Sequence, residues 1–323
     1  MVRFVQQETK FLGACPSDEP SLLRRIELCG RVAYKSEGKI TDESASQFVS
    51  NMLNSGHHSV LEHSNIALGV RGLHSDKLYR VMGRRLAYHP IFYQDHSQHC
   101  IISGNVRAWL DTMKHLGDGL DANGIAYRNY LGCALKENFP SIFGGLYFDG
   151  SPIGMAPIIS LTDQLLIADC DIPAFTFKIV CDRGISHELV RHRVMSVTQE
   201  STRYCNYSED ITYILNDDFA PYWDQFTCRV SGKLMPKDVL GRFWLYEADY
   251  LEYREHVKAG IRPQIARDVL PSLLKTELYL TGRWSWWKNF IILRRAMGAH
   301  PRIRELAMEI EASFQSIGLT VED

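Results

Sequence analysis

An arginine-rich stretch from Arg191 to Tyr204, RHRVMSVTQESTRY, contains the residue types best suited to binding an anion. Arg191, Arg193 and Arg203 are separated by histidine, serine and threonine residues. Guanidinium groups donate paired hydrogen bonds to phosphate oxygens, and hydroxyl side chains with free backbone N–H groups complete such a site. The stretch therefore predicts a phosphate-binding site, with a solvated basic face of a helix as the alternative.

Two later segments carry further arginines in apolar surroundings. QIARDVLP (Gln264–Pro271) places Arg267 inside an otherwise apolar helix, and WSWWKNFIILRR contains Asn289 and Arg294. On a helix Phe290 and Arg294 share a face, so Arg294 could project from an aromatic wall. The alternative is a core helix whose arginines reach solvent at its edge. The three tryptophans of this segment are expected in the core or at a subunit interface.

Histidine clusters in the first third of the chain could suggest a metal ion. One group is His57, His58 and His63 with Glu62, and a second is His96, His99 and Cys100. Neither has the spacing of a strong metal motif such as HExxH. We therefore expect structural histidines and no metal site.

The eight cysteines are scattered singly and form no CxxC pair. Such a pattern is typical of reduced thiols in a cytosolic protein. None lies in an evident nucleophile motif, and Cys205 is expected to pack as a small apolar group. If the substrate is a pyrimidine ring, its activation must come from a group other than a cysteine.

Composition limits the possible classes of protein. The chain has 323 residues, 45% hydrophobic and 23% charged, with a formal net charge of −2. These values are ordinary for a globular protein and argue against nucleic acid as the main partner. The N-terminus lacks an apolar signal region, and no stretch reaches the roughly 18 apolar residues of a membrane span. The sequence predicts a soluble cytoplasmic protein without membrane contact.

The elements that must position these residues are partly readable in the first half. Helices are predicted over Pro20–Tyr34, from Thr41 as N-cap to Gly56, and around Asn105–His115. Strands are predicted for NIALGV and for AFTFKIV after Pro173. Ser186 is expected to cap a helix that runs through Arg191 and Arg193.

The C-terminal third has mainly helical periodicity. Helices are predicted over four segments: Leu240–Val257, Ile265–Thr281 with a break near Pro271, Trp284–Ala296, and Pro301–Phe314. The whole chain therefore predicts a mixed α/β fold.

The arginine-rich stretch also resembles a known family. DRGISHELVRHRVMSVTQESTRYCNYS is similar to the RHRxxSxxxxSxR signature of the flavin-dependent, ThyX-type thymidylate synthases. GHHSVLEH resembles the family's HxSxxEH segment, and ARDVLP, KTELYLTG and the tail from NFIILRR to HPRIREL resemble its C-terminal blocks in order.

The resemblance implies a central sheet flanked by helices and a single catalytic domain over residues 1–323. It implies an FAD-dependent methyltransferase that converts dUMP to dTMP with NADPH and 5,10-methylenetetrahydrofolate, without a covalent enzyme nucleophile. Such enzymes are homotetramers with active sites between subunits. The segment from about 69 to 172 has no counterpart in compact members and is interpreted as an insertion.

The resemblance also assigns roles to residues. Arg294 is the implied catalytic residue, which polarises the uracil ring. The implied flavin contacts are His57, Ser59, Arg191, His192, Arg193, Gln199 and Asn289. The implied nucleotide contacts are Glu188, Arg191, Gln199, Glu200, Ser201, Thr202, Arg203, Arg267 and Arg294. The sequence departs from the family pattern at Thr198, Arg283 and Ser285.

Two alternatives remain open at this point. The same chemistry could act on UMP or dCMP, or could hydroxymethylate the base. A nucleic-acid-binding module is a different class, but the net charge and the lack of aromatic residues interleaved with the arginines weigh against it.

Overall fold

A computed structural model of the protein describes residues 2–71, 92–96, 99–115, 122–148, 171–216, 219–224, 229–231 and 233–321. The strands are β1 (Val2–Val5), β2 (Glu8–Ala14), β3 (Asn65–Arg71), β4 (Phe92–His96), β5 (His99–Asn105), β6 (Ala174–Asp182), β7 (Ser196–Gln199), β8 (Ile211–Ile214), β9 (Trp223–Asp224), β10 (Arg229–Val230) and β11 (Lys275–Arg283). The α-helices are α1 (Glu19–Arg31), α2 (Ser44–Ser55), α3 (Val106–His115), α4 (Ala122–Asn138), α5 (Pro140–Phe143), α6 (Arg183–Leu189), α7 (Lys237–Lys258), α8 (Pro263–Ala266), α9 (Trp284–Arg294) and α10 (Pro301–Gln315).

The sheet that carries the arginine-rich stretch has the strand order β2-β6-β11-β7, with antiparallel neighbours. β6 is buried almost throughout, as expected for an apolar, β-branched run in the middle of a sheet. Helices α9 and α10 pack on this sheet through Phe177, Trp287, Phe290 and Phe314. Because α9 follows β11 directly, the sheet fixes the start of the helix that ends at Arg294.

A second core lies under the sheet β3-β5-β4, which is also antiparallel. Side chains of α1 and α2 pack there against residues of α3 and α4, with Trp109 fully buried. The Asn105 side chain accepts a hydrogen bond from the Ala108 N–H (2.8 Å) and so starts α3. The described part of the segment 69–172 therefore shares a core with the N-terminal helices. That residues 1–323 form a single domain with an insertion stays a prediction.

The third core joins the parallel pair β1 and β8 to the long helix α7. The ring of Phe4 in β1 packs at a tilt against that of Phe219, with 5.1 Å between ring centroids. On α7, Tyr250 and Tyr253 point into this core and are buried. One face of α7 is thus fixed against the protein.

The mixed α/β class is confirmed, as are most of the predicted elements. The helices near Pro20–Tyr34, Asn105–His115, Leu240–Val257, Trp284–Ala296 and Pro301–Phe314 correspond to α1, α3, α7, α9 and α10, and the two predicted strands to β3 and β6. Trp287 is buried and the other two tryptophans pack against the same core.

Two predicted helix starts are wrong. α2 begins at Ser44, because the Ser44 hydroxyl accepts from the Thr41 N–H (2.9 Å) in a turn that precedes the helix; its predicted end at Gly56 is confirmed. α6 is capped by Asp182, whose Oδ1 accepts from the Ile185 N–H (2.8 Å), and not by Ser186. α6 ends at Leu189, so the arginines follow the helix, because the chain must turn back to enter β7.

The helix predicted over Ile265–Thr281 is also wrong. α8 ends at Ala266, a 3-10 turn covers Arg267–Val269, and the remaining residues form strand β11. β11 lies between β6 and β7, and most of its residues are buried. Pairing on both edges and burial on both faces override the local helical preference of KTELYL.

Candidate functional site

Helix α6 is anchored at its start and presents Glu188 in its last turn. Its cap residue, Asp182, also forms an ion pair with Arg302 of α10. The cap satisfies a backbone N–H at the helix start, and the ion pair ties α6 to α10. Glu188 is therefore held on a short element with two fixed attachments.

Arg294, the last residue of α9, contacts α6 and the loop that follows it. Its Nη1 donates to Glu188 Oε2 (2.6 Å), and its Nη2 donates to the Glu188 carbonyl oxygen (3.1 Å). Its Nε donates to His192 Nε2 (2.9 Å). These bonds use one N–H on each nitrogen, so each terminal nitrogen keeps a second N–H that could meet a ligand.

His192 is a neutral imidazole in this arrangement. Burial, followed by the charges of Arg294 and Arg191, lowers the pKa of His192 to about 4. Since Nε2 accepts from Arg294, the ring proton lies on Nδ1. The edge of the ring also contacts Phe290, at 4.9 Å between centroids. His192 is therefore held as an acceptor on one side and a donor on the other.

An open cleft of about 470 Å³ lies beside this triad. It is lined by Arg191, His192, Arg193, Val194, Asn289, Leu293 and Arg294. Arg191 and Arg193 are exposed, and within the described parts of the chain neither guanidinium has a hydrogen-bond or ion-pair partner. Two unpaired cations and one amide at a concave surface can bind an anionic ligand.

A second group of predicted residues surrounds the turn after β7. Arg267 Nη1 donates to Thr202 Oγ1 (3.0 Å), which brings the 3-10 turn after α8 to this loop. Ser201 Oγ accepts from the Arg203 N–H (3.3 Å), and the Arg203 guanidinium lies 5.5 Å from the centroid of the Tyr204 ring. Ser201, Thr202, Arg203 and Arg267 are thus brought together.

Gln199 and Glu200 have the opposite environment, because their side chains are already paired. Gln199 Nε2 donates to Ser186 Oγ (2.8 Å) and to Thr276 Oγ1 (3.1 Å). The Glu200 carboxylate is fully buried; its Oε1 accepts from the Tyr207 hydroxyl (2.6 Å) and pairs with Lys35 Nζ (2.8 Å), while Oε2 lies 3.7 Å from Lys275 Nζ and accepts no hydrogen bond from a described residue. Both residues hold strands and loops together in this structure, and their ligand roles stay predictions.

The upstream histidine segment is fastened to β7. The buried ring of His63 bridges Thr281 Oγ1 and Thr198 Oγ1, each at 2.8 Å, and burial lowers its pKa to about 3. Glu62 Oε2 accepts from Ser196 Oγ (3.1 Å). His57 and Ser59, the predicted flavin contacts of this segment, are exposed and do not line the cleft.

A smaller cavity of about 260 Å³ shares Arg193 and Val194 with the cleft. Its wall includes Glu62, Trp286 and the buried Arg283. Arg283 donates to the carbonyl oxygens of Asp171 (2.7 Å) and Ser103 (3.1 Å), and burial lowers its pKa to about 9.

The three departures from the family pattern therefore have structural partners. Ser285 hydrogen-bonds Asp171, Arg283 bonds the carbonyl oxygens above, and Thr198 contacts His63.

The described cysteines beside this region are not activated thiols. Cys205 is buried in the core around Phe4, and burial with the nearby Glu200 raises its pKa. Cys181 is buried in β6, and burial raises its pKa as well. A thiol in such surroundings is a poor nucleophile, and the packing predicted for Cys205 is confirmed.

The described residues show neither a membrane-spanning helix nor a metal-binding cluster. No helix among them is long and apolar enough to cross a membrane. No three His, Cys, Asp or Glu side chains among them are arranged to hold a metal ion. The side chains of His96, His99 and Cys100 lie outside that set.

Residues 170–317 match the sequence model of the thymidylate synthase complementing protein family. The matched residues make up slightly less than half of the chain. A protein of Pyrococcus furiosus named flavin-dependent thymidylate synthase is 30% identical over 140 residues, which cover 42% of this chain and 52% of the relative. A protein of Mycobacterium avium with the same name is 31% identical over 133 residues, which cover 39% of this chain and 51% of the relative. The chain thus spans about half the length of these curated relatives.

The chain also superposes on a crystal structure of the UMP/dUMP methylase PolB from Streptomyces cacaoi bound with 5-Br dUMP. The TM-score is 0.39 with 15% identity, over 98% of this chain and 92% of that chain. A TM-score this low carries no inference about individual residues.

The thymidylate synthase complementing protein region contains the cleft residues and the turn around Thr202. His57 and Ser59 lie before residue 170 and outside the match. The sequence pattern did not indicate the partners of Gln199 and Glu200. These partners are Ser186, Tyr207 and Thr276 within the matched region and Lys35 upstream of it. Their polar side chains at strand and helix ends gave no local signal, because the partners are distant in sequence.

Proposed function

We propose that the protein is a flavin-dependent methyltransferase that converts dUMP to dTMP, with FAD as cofactor and with NADPH and 5,10-methylenetetrahydrofolate as co-substrates. The observation that carries the proposal is the cleft with two guanidiniums, Arg191 and Arg193, that have no partner among the described residues. The same cleft is lined by Arg294 and His192, and Arg294 is also bonded to Glu188. The names of the family and of the relatives support the flavin and the pyrimidine nucleotide.

The chemistry of the cleft fits a flavin dinucleotide. A pyrophosphate needs fixed cations and N–H donors, which Arg191, Arg193 and the Asn289 amide can supply. The apolar parts of Val194 and Leu293 can cover a ring or sugar face. In the proposal His57 and Ser59 extend this contact, supported by the fastening of their segment to β7. Bound FAD would supply the reductive chemistry, fed by NADPH.

Arg294 acts in the proposal on the pyrimidine ring. Its second N–H on each terminal nitrogen is available to a carbonyl oxygen of uracil, and its position is set in advance by Glu188 and His192. A fixed cation at that oxygen stabilises negative charge that develops on the ring, and so makes C6 more electrophilic. Neutral His192 adds no competing positive charge.

The nucleotide phosphate is assigned to the turn around Thr202. Ser201 and Thr202 supply hydroxyls, while Arg203 and Arg267 supply cations, and Arg267 is already oriented toward this turn by its bond to Thr202. Glu188, Gln199 and Glu200 complete the proposed substrate contacts. In this structure Glu188 pairs with Arg294, and Gln199 and Glu200 have protein partners, which supports an indirect role for them.

The proposal needs no covalent nucleophile. The buried thiols of Cys181 and Cys205 with raised pKa values support direct activation of the ring by Arg294. Free thiols at Cys15, Cys29, Cys133, Cys181 and Cys205 support a reducing, cytoplasmic location. Exposed apolar side chains that line the cleft, Val194 and Leu293, support a homotetramer with active sites between subunits.

The test is a coupled assay on the purified chain. We expect a yellow protein with flavin absorbance, and dTMP formed from dUMP and methylenetetrahydrofolate as NADPH is consumed. Flavin-loaded protein that forms no dTMP would contradict the proposal. A substrate panel of dUMP, UMP and dCMP, with analysis for hydroxymethylated product, then tests which pyrimidine nucleotide is used.

A further inference from the structure

Helix α7 has an exposed apolar face that no described residue covers. Trp244 is 57% exposed, and Leu240, Leu245 and Leu251 are exposed as well. The opposite face is occupied, since Tyr250 and Tyr253 are buried in the core shared with β1 and β8. An exposed stripe of large apolar side chains on a well-anchored helix indicates an interaction surface.

The exposed face follows the spacing of a helix-packing seam. Six of its exposed residues alternate in steps of four and three positions, the a and d pattern of a coiled coil, and Leu240 and Leu245 flank this series. We call this set the α7 seam, and it consists of Lys237, Gly241, Trp244, Ala248, Leu251 and Glu255, all exposed. The seam extends over about 27 Å of helix at the rise of an α-helix.

The side chains of the α7 seam are ordered so that the seam matches a second copy of itself that runs in the opposite direction. If a second α7 lies antiparallel, with both helices crossing at residue 246, Trp244 meets Ala248 and Leu251 meets Gly241. Each large side chain then faces a small one, which allows close packing of the two helices. At both ends Lys237 meets Glu255, which already pairs with Lys258 of its own helix (2.9 Å), so opposite charges are placed together.

We propose that the α7 seam is a self-association surface, and that its occupant is the antiparallel α7 of a second copy of this chain. A two-fold axis requires a surface that matches itself, and the seam meets this condition in size and in charge. A different protein or a membrane would have no reason to match the internal order of Trp244, Ala248, Gly241 and Leu251.

The seam specifies one interface of the homotetramer in the proposed function, and it rests on α7 alone. Its test uses mass and not turnover, so its failure and the failure of the proposed chemistry are distinguishable. If the chain associates through the seam but forms no dTMP, the seam proposal stands and the proposed function fails. If the chain forms dTMP but Trp244→Glu leaves the oligomer intact, the seam proposal fails and the proposed function stands.

The experiment measures the mass of the full chain by light scattering after size exclusion, at a concentration where the wild type is associated. We expect Trp244→Glu to lower the mass of the oligomer twofold. The two-fold axis repeats the contact of Trp244 with Ala248, so the substitution introduces two buried charges into the same interface. Met308→Glu is the matched control, since Met308 on α10 is 58% exposed and lies outside the seam. An unchanged mass for Trp244→Glu, an equal loss for Met308→Glu, or a monomeric wild type would overturn the proposal.

A charge exchange gives a second, independent readout. Lys237→Glu places two acidic groups together at each end of the seam, and Glu255→Lys places two basic groups there. Each single change should weaken association by about tenfold, since each end layer is repeated by symmetry. The double variant Lys237→Glu with Glu255→Lys should restore it. No restoration in the double variant would exclude the antiparallel register.

Discussion

The two halves of the arginine-rich stretch differ in how their charges are used. Arg191 and Arg193 lie in the turn after α6, exposed and without protein partners among the described residues. Gln199 and Glu200, a few positions later, lie at the end of β7 with every polar contact directed into the protein. A single motif thus contains a part that is free to bind and a part that is already bound.

The difference follows from where each half lies relative to the sheet. β7 is paired with β11, so residues that enter it must satisfy their polar groups internally. The turn before β7 has no such neighbours, and its arginines remain in solvent. Residues of one signature can therefore have two roles, contact with a ligand and support of the loop that makes the contact.

The largest expected effect is at Arg294, which joins the two roles. Arg294→Ala removes the proposed cation at the ring and should lower kcat by roughly 10² to 10³, the effect of losing one oxyanion donor. Flavin absorbance per chain should fall much less. Steady-state turnover and the visible spectrum of the purified variant measure both quantities.

Arg294→Lys is the matched control, because it keeps the charge but cannot bond both Glu188 and His192 in the same way. If kcat and flavin content fall together in Arg294→Ala, Arg294 is a structural residue of the cleft. The ligand-binding residues of the cleft would then be Arg191 and Arg193, without Arg294.

The supporting half is tested at Glu200. Glu200→Ala removes the partner of the Tyr207 hydroxyl and of Lys35, and also the carboxylate that lies near Lys275. It should lower the free energy of unfolding by about 3 kcal/mol, the low end for breaking a buried pair, because Lys35 is partly exposed. Urea unfolding measures this loss. Glu8→Ala, at an exposed position of β2, should change it by no more than about 0.5 kcal/mol. Full stability with lost dUMP binding would instead make Glu200 a direct ligand contact.

The sequence predicted the elements with one clear face and missed those whose environment is made by distant residues. α10 was predictable because its apolar stripe follows helical spacing and Pro301 starts it. β11 was not, because its strand state depends on β6 and β7 on either side. In the site, the grouping of Arg294 with Arg191 and Arg193 came from family resemblance, while the bonds of Arg294 to Glu188 and His192 depend on the approach of α9 to α6.

A smaller effect is expected at the free arginines. Arg191→Ala and Arg193→Ala should each weaken flavin binding by about tenfold or more, the loss of a charged hydrogen bond, and leave the unfolding midpoint of the flavin-free chain unchanged. Fluorescence titration with FAD gives the affinity. Arg24→Ala, an exposed arginine of α1, is the control and should change neither value. A lower midpoint for Arg191→Ala would show that this guanidinium is used inside the fold.

The smallest expected effect is on the pH dependence of stability, and it concerns His192, which lies between Arg191 and Arg193 but bonds to a protein partner, Arg294. Its pKa in the folded protein is about 4, below the usual value of 6.5, so the unfolded chain binds a proton more readily than the folded one. Stability should therefore be lost as the pH falls from about 6.5 toward 4, and the buried His63, with a pKa of about 3, contributes in the same direction. Unfolding free energies of the wild type, His192→Gln and His63→Gln across this range measure each share. We expect the unfolding free energy of His192→Gln to depend less steeply on pH than that of the wild type. Of the two histidines, His192 should contribute less, because it is only half-buried. An unchanged slope in His192→Gln would mean that the bond from Arg294 does not hold the ring neutral, and that His192 belongs with the free side chains of the cleft.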